Sequence, residues 1–299
     1  MGCTGIQSLD SHLISTTGRA SLSGGDVLEI QGPPGSGKSQ LLYHLLITCL
    51  LPYQVDAVVI GGWEKAAVLF DTDNTFDVQL FRTITEQRLN HLLPGRPPLF
   101  IKIFVQTASN NLHIYRPASS LQLASSLLRL SAYHAATIVD RSIGIIAVDS
   151  LSAFYWEDKL VMELEAKAGN STATIHPLKR IQQGLEKVRI SHGAAIVFTN
   201  WGLQLSGGDG SSTTPFYRQH LQGFPSISQG SALPSTRHHI TIPLSIYPQL
   251  PINPTSKDLE TWNNERQRKV GTGEFNGFVR TEGQETVGHF KFTIGHPNS

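Results

Sequence analysis

The sequence predicts an α/β fold with a mostly parallel central sheet. Short apolar runs rich in β-branched residues alternate with longer amphipathic stretches, as strands alternate with helices in this class. The run Ile143–Val148 is continuously apolar and is bounded by charged residues, as expected for a central strand covered on both faces. A glycine-rich segment at 32–39 directly follows one strand candidate and precedes a helix candidate. No internal repeat or domain boundary is visible, so residues 1–299 are predicted to form a single domain.

The elements up to residue 201 can be assigned in chain order from this alternation. The strand candidates are Asp26–Gln31, Ala67–Phe70, Leu99–Val105, Ile143–Val148 and Ala194–Thr199. The helix candidates are Lys38–Leu51, Phe76–Leu92, Ser119–Val139 and Pro177–Ile190. Proline suits the first turn of a helix, which favours a start at Pro177.

The composition changes after Trp201. Residues 202–235 are rich in Gly and Ser and predict one long mobile loop, since long structureless segments in a compact domain are commonly functional or disordered. A proline-containing and then charged insertion is expected at about 251–269. C-terminal strands are predicted at Arg237–Ile246, Glu274–Thr281 and Thr286–Ile294.

Composition and charge exclude several classes of protein. A hydrophobic fraction of 39% supports a sizeable core and argues against wholesale disorder. The net charge of +1 gives no general attraction to nucleic acid or anionic membranes. Cys3 and Cys49 form neither a disulfide framework nor a C-x-x-C zinc pair, and Cys49 is expected in the core. We therefore expect a soluble, intracellular chain with reduced thiols.

The glycine-rich segment fits the phosphate-loop pattern G-x-x-x-x-G-K-[ST]. Its residues are Gly32, Pro33, Pro34, Gly35, Ser36, Gly37, Lys38 and Ser39. The glycines let backbone N–H groups turn inward around phosphates, and the positive end of the following helix favours anions. Lys38 is predicted to reach the β- and γ-phosphates, and Ser39 to give a hydroxyl to Mg²⁺. The predicted cofactors are therefore ATP and Mg²⁺.

Carboxylates at the ends of two other strands complete the predicted site. Asp149 closes the apolar strand Ile143–Val148 and is the natural Walker-B candidate for holding Mg²⁺. Asp71 and Asp73 follow the second strand, and either could orient the attacking water. A turn or capping role remains an alternative for each of these aspartates.

At these residues the chain resembles the RecA-type recombinase family, and most closely its eukaryotic recombinase paralogues. The matching segments follow one another in the order and spacing of the RecA-like P-loop ATPase core. They are GCTGIQSLD, GGDVLEIQGPPGSGKSQLLYHL, VLFDTDNTFDVQL, IIAVDSLSAFYWED and AAIVFTN, and the match is dense from about Thr4 to Trp201.

The resemblance implies an ATPase core that binds ATP between neighbouring subunits and acts on single-stranded DNA in homologous recombination. Lys38, Ser39 and Asp149 match the family's phosphate, magnesium and Walker-B positions. The water-activating acid, normally Glu, falls on Asp73, and the polar sensor, normally Gln, falls on Trp201. Both departures favour slow ATP hydrolysis at best.

The function that the resemblance implies is nuclear DNA double-strand break repair, as an ATP-binding subunit of a complex with other paralogues that supports recombinase filaments. The family's DNA loops fall at about 157–174 and 202–235, and the second has little positive charge, so we expect weak binding of single-stranded DNA by this chain alone. Adjacent strand residues face opposite ways, so His238 and His239 are not expected to share a metal. A non-hydrolysing scaffold and a fully active DNA-dependent ATPase remain the alternatives.

Overall fold

The computed structural model describes residues 2–19, 21–167, 177–202, 236–243 and 255–293. The helices are α1 (Gln7–Thr17), α2 (Lys38–Leu50), α3 (Val78–Leu92), α4 (Pro98–Asn110), α5 (Ser120–Thr137), α6 (Tyr155–Lys167), α7 (Pro177–His192) and α8 (Ser256–Thr272). The strands are β1 (Val27–Gly32), β2 (Gln54–Val55), β3 (Val58–Val59), β4 (Ala66–Asp71), β5 (Leu112–Tyr115), β6 (Ile143–Asp149), β7 (Ala195–Trp201), β8 (Arg237–Thr241), β9 (Glu274–Thr281) and β10 (Val287–Thr293).

One eight-stranded sheet organises the fold, in the order β10-β9-β8-β1-β7-β6-β4-β5. The six strands from β8 to β5 run parallel, whereas β9 and β10 are antiparallel additions at the other edge. β1 lies in the middle, with Val27 opposite Ile196 of β7 on one side and Arg237 of β8 on the other. This arrangement confirms the predicted α/β class with a mostly parallel sheet and C-terminal strands.

Helices cover both faces of the sheet and create two apolar cores. In β6, Ile145 and Ala147 point into one core, and Ile146 and Val148 point into the other. The first core contains α1 to α4 and the buried Cys49, which is confirmed as a core residue, and the second contains α5 and α7. Two-sided burial explains why β6 is apolar at every position before its terminal aspartate. None of the described helices is both long and apolar enough to cross a membrane.

The predicted strand Leu99–Val105 is wrong, because this segment lies inside helix α4. All of its residues except Lys102 are apolar, and a short apolar run of this kind fits a strand but also fits the helical spacing that buries Ile101, Val105 and Ala108 on one face. Pro98 lies in the first turn, where it favours a helix start. The strand that pairs with β4 is β5, whose four residues are only partly buried and give a weak apolar signal.

The predicted loops and insertion are only partly covered by the described residues. The segment expected at 157–174 is helical as far as Lys167, and residues 168–174 lie outside the described ranges. Of the loop expected at 202–235, residues 203–235 lie outside them too. Within the insertion expected at 251–269, the described residues form the start and middle of α8. The short helix α1 was not predicted.

Candidate nucleotide-binding site

The glycine-rich segment forms a tight turn between β1 and α2. Gly35 and Gly37 have positive φ angles of 75° and 92°, which glycine adopts without strain from a side chain. Gly32 is needed for a different reason, since a Cβ there would lie 2.6 Å from the carbonyl oxygen of Ile242. The turn therefore brings the chain from the end of β1 to the N-terminus of α2, where free N–H groups favour an anion.

Lys38, the first residue of α2, folds its side chain back over this turn. Its Nζ donates to the carbonyl oxygens of Gly32 and Pro33, both at 2.9 Å. Burial lowers the pKa of Lys38, while the negative charges of Asp149 and Asp73 raise it. The ammonium group is thus held at the loop and in the field of two carboxylates.

Asp149 ends β6 and is 4% exposed. Its Oδ1 accepts a hydrogen bond of 2.5 Å from the hydroxyl of Thr199 at the end of β7. Burial raises the pKa of Asp149, while hydrogen bonds from Thr199 and Ser39 lower it. Asp73 raises this pKa further, and Lys38 lowers it. The structure therefore brings Lys38, Ser39 and Asp149 together at the carboxyl ends of the parallel strands.

The two aspartates after β4 have different surroundings. Asp71 is buried, and its carboxylate accepts from the backbone N–H groups of Thr75 and Phe76 at 3.0 and 3.3 Å. It also forms an ion pair with Arg116, with Nε 3.0 Å from Oδ2. Asp73 is exposed and accepts from the Thr75 hydroxyl at 2.8 Å. Of these two aspartates, Asp73 is the one whose charge raises the pKa of both Lys38 and Asp149, which favours it as the acid; its catalytic role stays a prediction.

Trp201, at the predicted sensor position, lies beside the phosphate loop. It ends β7 opposite Gly32 of β1, and its backbone N–H donates to the Ser152 hydroxyl at 3.2 Å. The next N–H, that of Gly202, donates to the carbonyl oxygen of Gly32 at 3.0 Å. The backbone of β7 is therefore attached directly to the strand that enters the phosphate loop.

Sequence reasoning missed a buried polar cluster on β1, β7 and β8. The Glu29 carboxylate accepts from Asn200 Nδ2 at 2.6 Å and Gln31 Nε2 at 3.1 Å, and it pairs with His239 Nδ1 at 2.9 Å. The available signal was the occurrence of Glu29 and Gln31 at alternate positions in an otherwise apolar strand. These contacts hold the three strands together close to the phosphate loop.

The two adjacent histidines of β8 do face opposite sides of the sheet, as predicted. His239 contacts Glu29, whereas His238 is buried with Nδ1 3.0 Å from the hydroxyl of Thr281 on β9. Burial lowers the pKa of His238 to about 4, so this ring is neutral at physiological pH. In the part of the chain that the structure describes, no three His, Cys, Asp or Glu residues form a potential metal group.

Comparison with known proteins identifies the relatives of this chain. A family model described as Rad51 matches residues 2–223. The mouse DNA repair protein XRCC2 is 31% identical over 198 residues, which cover 66% of this chain and 63% of the mouse protein. The Arabidopsis thaliana DNA repair protein XRCC2 homolog is 26% identical over 212 residues, covering 62% of this chain and 57% of that protein. DNA repair protein RAD51 of Mycosarcoma maydis is 28% identical over 197 residues, covering 66% and 48%.

Three segments of the chain resemble XRCC2 in particular. They are Leu42–Leu45, Asp71–Asp73 and Asp149–Trp156, which all lie within the residues that the family model matches. The matches to the mouse and Arabidopsis XRCC2 proteins confirm the resemblance of the chain as a whole to XRCC2. The chain spans less than two thirds of the length of both relatives.

Proposed function

Because the chain belongs to the Rad51 family, we propose that it is an ATP-binding recombinase paralogue that acts in DNA double-strand break repair by homologous recombination. It acts in the nucleus as a subunit of a complex with other paralogues and supports recombinase filaments on single-stranded DNA. The printed names of its relatives, DNA repair protein XRCC2 and DNA repair protein RAD51, support the repair role. The net charge of +1 supports weak DNA binding by this chain without its partners.

The observation that supports the proposal most strongly is that Lys38, Ser39 and Asp149 lie together at the carboxyl ends of the parallel strands. Oxygen ligands from a hydroxyl and one carboxylate are the kind that Mg²⁺ prefers, together with phosphate oxygens and water. The ammonium of Lys38 and the N-terminus of α2 supply positive charge for the phosphates. Ser36 adds a buried hydroxyl that has no hydrogen-bond partner among the described residues, and a bound phosphate oxygen would offer it an acceptor. The residues present therefore fit Mg²⁺–ATP.

Each of these residues has a defined part in binding or slow hydrolysis. Lys38 neutralises phosphate charge, while Ser39 and Asp149 hold the metal; bound Mg²⁺ supplies further charge neutralisation at the phosphate oxygens. Asp73 accepts a proton from the attacking water and orients it. Its side chain is one methylene shorter than the Glu of the family, so its oxygens stand about 1.5 Å further back. A misplacement of about 1 Å can cost roughly 100-fold in rate, so we expect the chain to bind ATP and hydrolyse it slowly.

A nucleotide titration tests the proposed function. The purified chain is titrated with fluorescent ATP and Mg²⁺, alone and with a candidate paralogue partner, and Lys38→Ala is compared with wild type. The variant loses a charge-assisted contact with the phosphates, so its affinity should fall about tenfold or more while its circular dichroism spectrum is unchanged. Lys102→Ala, at an exposed position on α4, is the matched control and should bind like wild type. Equal affinity of Lys38→Ala and wild type would overturn the nucleotide site.

A further inference from the structure

The segment 72–77 between β4 and α3 carries Asp73 and is anchored at both ends. At its start, the Thr72 backbone N–H donates to the carbonyl oxygen of Asp149 at 2.8 Å. The Thr72 hydroxyl donates to the carbonyl oxygen of Ser150 at 2.7 Å. At its end, the Asp77 carboxylate accepts from two N–H groups in the first turn of α3. The start of the segment is thereby attached to the strand end that carries the Walker-B aspartate.

Arg116 connects the second half of this segment to β4. Its Nε lies 3.0 Å from Oδ2 of Asp71, and its Nη2 donates to the carbonyl oxygen of Phe76 at 3.3 Å. The other oxygen of Asp71 accepts from the N–H groups of Thr75 and Phe76. One guanidinium group and one carboxylate therefore close the turn in which Asp73 is placed.

Tyr43 connects the same segment to the helix of the phosphate loop. It lies on α2, which begins at Lys38, and its hydroxyl accepts from the backbone N–H of Asp77 at 2.9 Å. Its ring packs edge-on against Phe76, with 4.8 Å between the ring centroids, and against Phe81 at 6.4 Å. Movement of the segment away from α2 would break both the hydrogen bond to Asp77 and the ring contact with Phe76.

We propose that Arg116 and Tyr43 are positioning residues that hold segment 72–77 so that the Asp73 carboxylate stays beside the phosphate loop. The inference rests on the proposed nucleotide-binding function and assigns no contact with nucleotide to either residue. The Asp73 side chain is short and exposed, and in the described structure its hydrogen bond is to Thr75 within the same turn. Its distance from Lys38 and Asp149 is consequently set by the backbone, which Arg116 and Tyr43 hold.

Amide hydrogen exchange of the full chain tests the positioning role without nucleotide. Arg116→Gln removes the ion pair of a half-exposed side chain, and Tyr43→Phe removes only the hydroxyl while keeping the ring. Exchange at Thr75 and Phe76 in Arg116→Gln, and at Asp77 in Tyr43→Phe, should rise about tenfold more than exchange at the amides of the central strands, which reports any change in global stability. Arg82→Gln is the matched control, because Arg82 bonds to Gln106 on α4 instead, and its exchange at these amides should equal wild type. Wild-type exchange in both test variants would overturn the proposal.

A double-mutant cycle on nucleotide affinity tests whether the anchors act through Asp73. A slowly hydrolysed ATP analogue with Mg²⁺ is titrated into wild type, Asp73→Asn, Arg116→Gln and the double variant. Asp73→Asn removes a negative charge near the phosphates and should tighten binding severalfold. In the Arg116→Gln background this gain should be lost, because the carboxylate is no longer held near the loop.

The outcomes separate this proposal from the proposed function. An equal gain in both backgrounds, or no gain in the wild-type background, would overturn the positioning role. Absence of any nucleotide binding by the wild-type chain, alone and with a paralogue partner, would instead overturn the proposed function. The exchange measurement would still decide whether Arg116 and Tyr43 hold the segment.

Discussion

The ends of β4 and β6 place Asp71 and Asp149 opposite each other in neighbouring strands, yet the two carboxylates have different partners. Asp71 is surrounded by the Arg116 guanidinium and two backbone N–H groups, which together satisfy its charge. The Asp149 carboxylate accepts hydrogen bonds from the hydroxyls of Thr199 and Ser39, and no cationic side chain of the described residues bonds to it directly. The same sequence signal therefore produces a structural ion pair at one strand end and a candidate metal ligand at the next.

The largest expected effect lies just beyond the end of β4, at Asp73. Single-turnover hydrolysis should be abolished in Asp73→Asn, whereas Asp73→Glu should speed it by up to about 100-fold or leave it level. Nucleotide affinity, measured in parallel, should change far less, because Lys38, Ser39 and the loop amides bind the phosphates independently. Brisk hydrolysis by Asp73→Asn would show that another group is the acid.

The next effect is on stability and distinguishes the two strand ends directly. Asp71→Asn weakens a buried, charge-assisted hydrogen-bond cluster, so the free energy of unfolding in urea should fall by ~1–2 kcal/mol. The figure is modest because the Arg116 side chain is 53% exposed, and solvent screens its half of the pair. A variant as stable as wild type would mean that the ion pair does not hold this strand end.

Asp149→Asn should weaken nucleotide binding rather than stability, which is the opposite of the effect expected for Asp71→Asn. Its Mg²⁺-dependent gain in nucleotide affinity should fall about tenfold, by analogy with losses at metal sites. Because burial raises the pKa of Asp149, the folded state retains a proton more readily than the unfolded state does. Ionisation of Asp149 in the folded state therefore lowers the free energy of unfolding as the pH rises from the usual pKa of 3.8 towards the folded pKa. Without Mg²⁺, Asp149→Asn should therefore be at least as stable as wild type at pH 7. Urea unfolding of both proteins at pH 3 and pH 7 measures this, and a lower free energy of unfolding for the variant at pH 7 would contradict the prediction.

The smallest effect should come from Thr199→Val, which keeps the side-chain shape and removes the hydrogen bond to Asp149. Loss of that bond favours the protonated carboxyl group, so the apparent affinity for Mg²⁺–nucleotide should fall by a few fold, and more at lower pH. Titrations at pH 6 and pH 8 measure this. A pH-independent loss would indicate a change in packing rather than in the charge of Asp149.

The sequence predicts those parts of the fold whose signals are local. Strand Ile143–Asp149 can be predicted because burial on both faces requires an unbroken apolar run. The turn at Gly32–Ser39 can be predicted because a phosphate loop requires glycines at fixed spacing. The segment at Leu99 is misassigned because its apolar pattern fits both a strand and a helix, and only packing decides between them. The partly buried β5 has too weak a pattern to correct the error.

In the candidate site, too, the residues that belong to local motifs can be predicted, whereas those that depend on contacts with distant parts of the chain cannot. Lys38, Ser39 and Asp149 follow from motif and strand order. The choice between Asp71 and Asp73 depends on Arg116, which lies 45 residues from Asp71 in the chain. The roles of Arg116 and Tyr43 cannot be predicted from a motif, because only folding brings them to Asp71, Phe76 and Asp77.

The central place of β1 in the sheet has a consequence for biosynthesis. Both neighbours of β1 come from much later in the chain, since Val27 pairs with Ile196 and with Arg237. At a translation rate of about 5–20 residues per second, roughly 10–30 s separate the synthesis of β1 from that of its first partner. During this interval the apolar strand that leads into the phosphate loop has no neighbour on either side. The apolar residues of β1 must therefore be covered while the chain is still on the ribosome, either by temporary contacts with other parts of the chain or by chaperones. Only later can the nucleotide site be assembled.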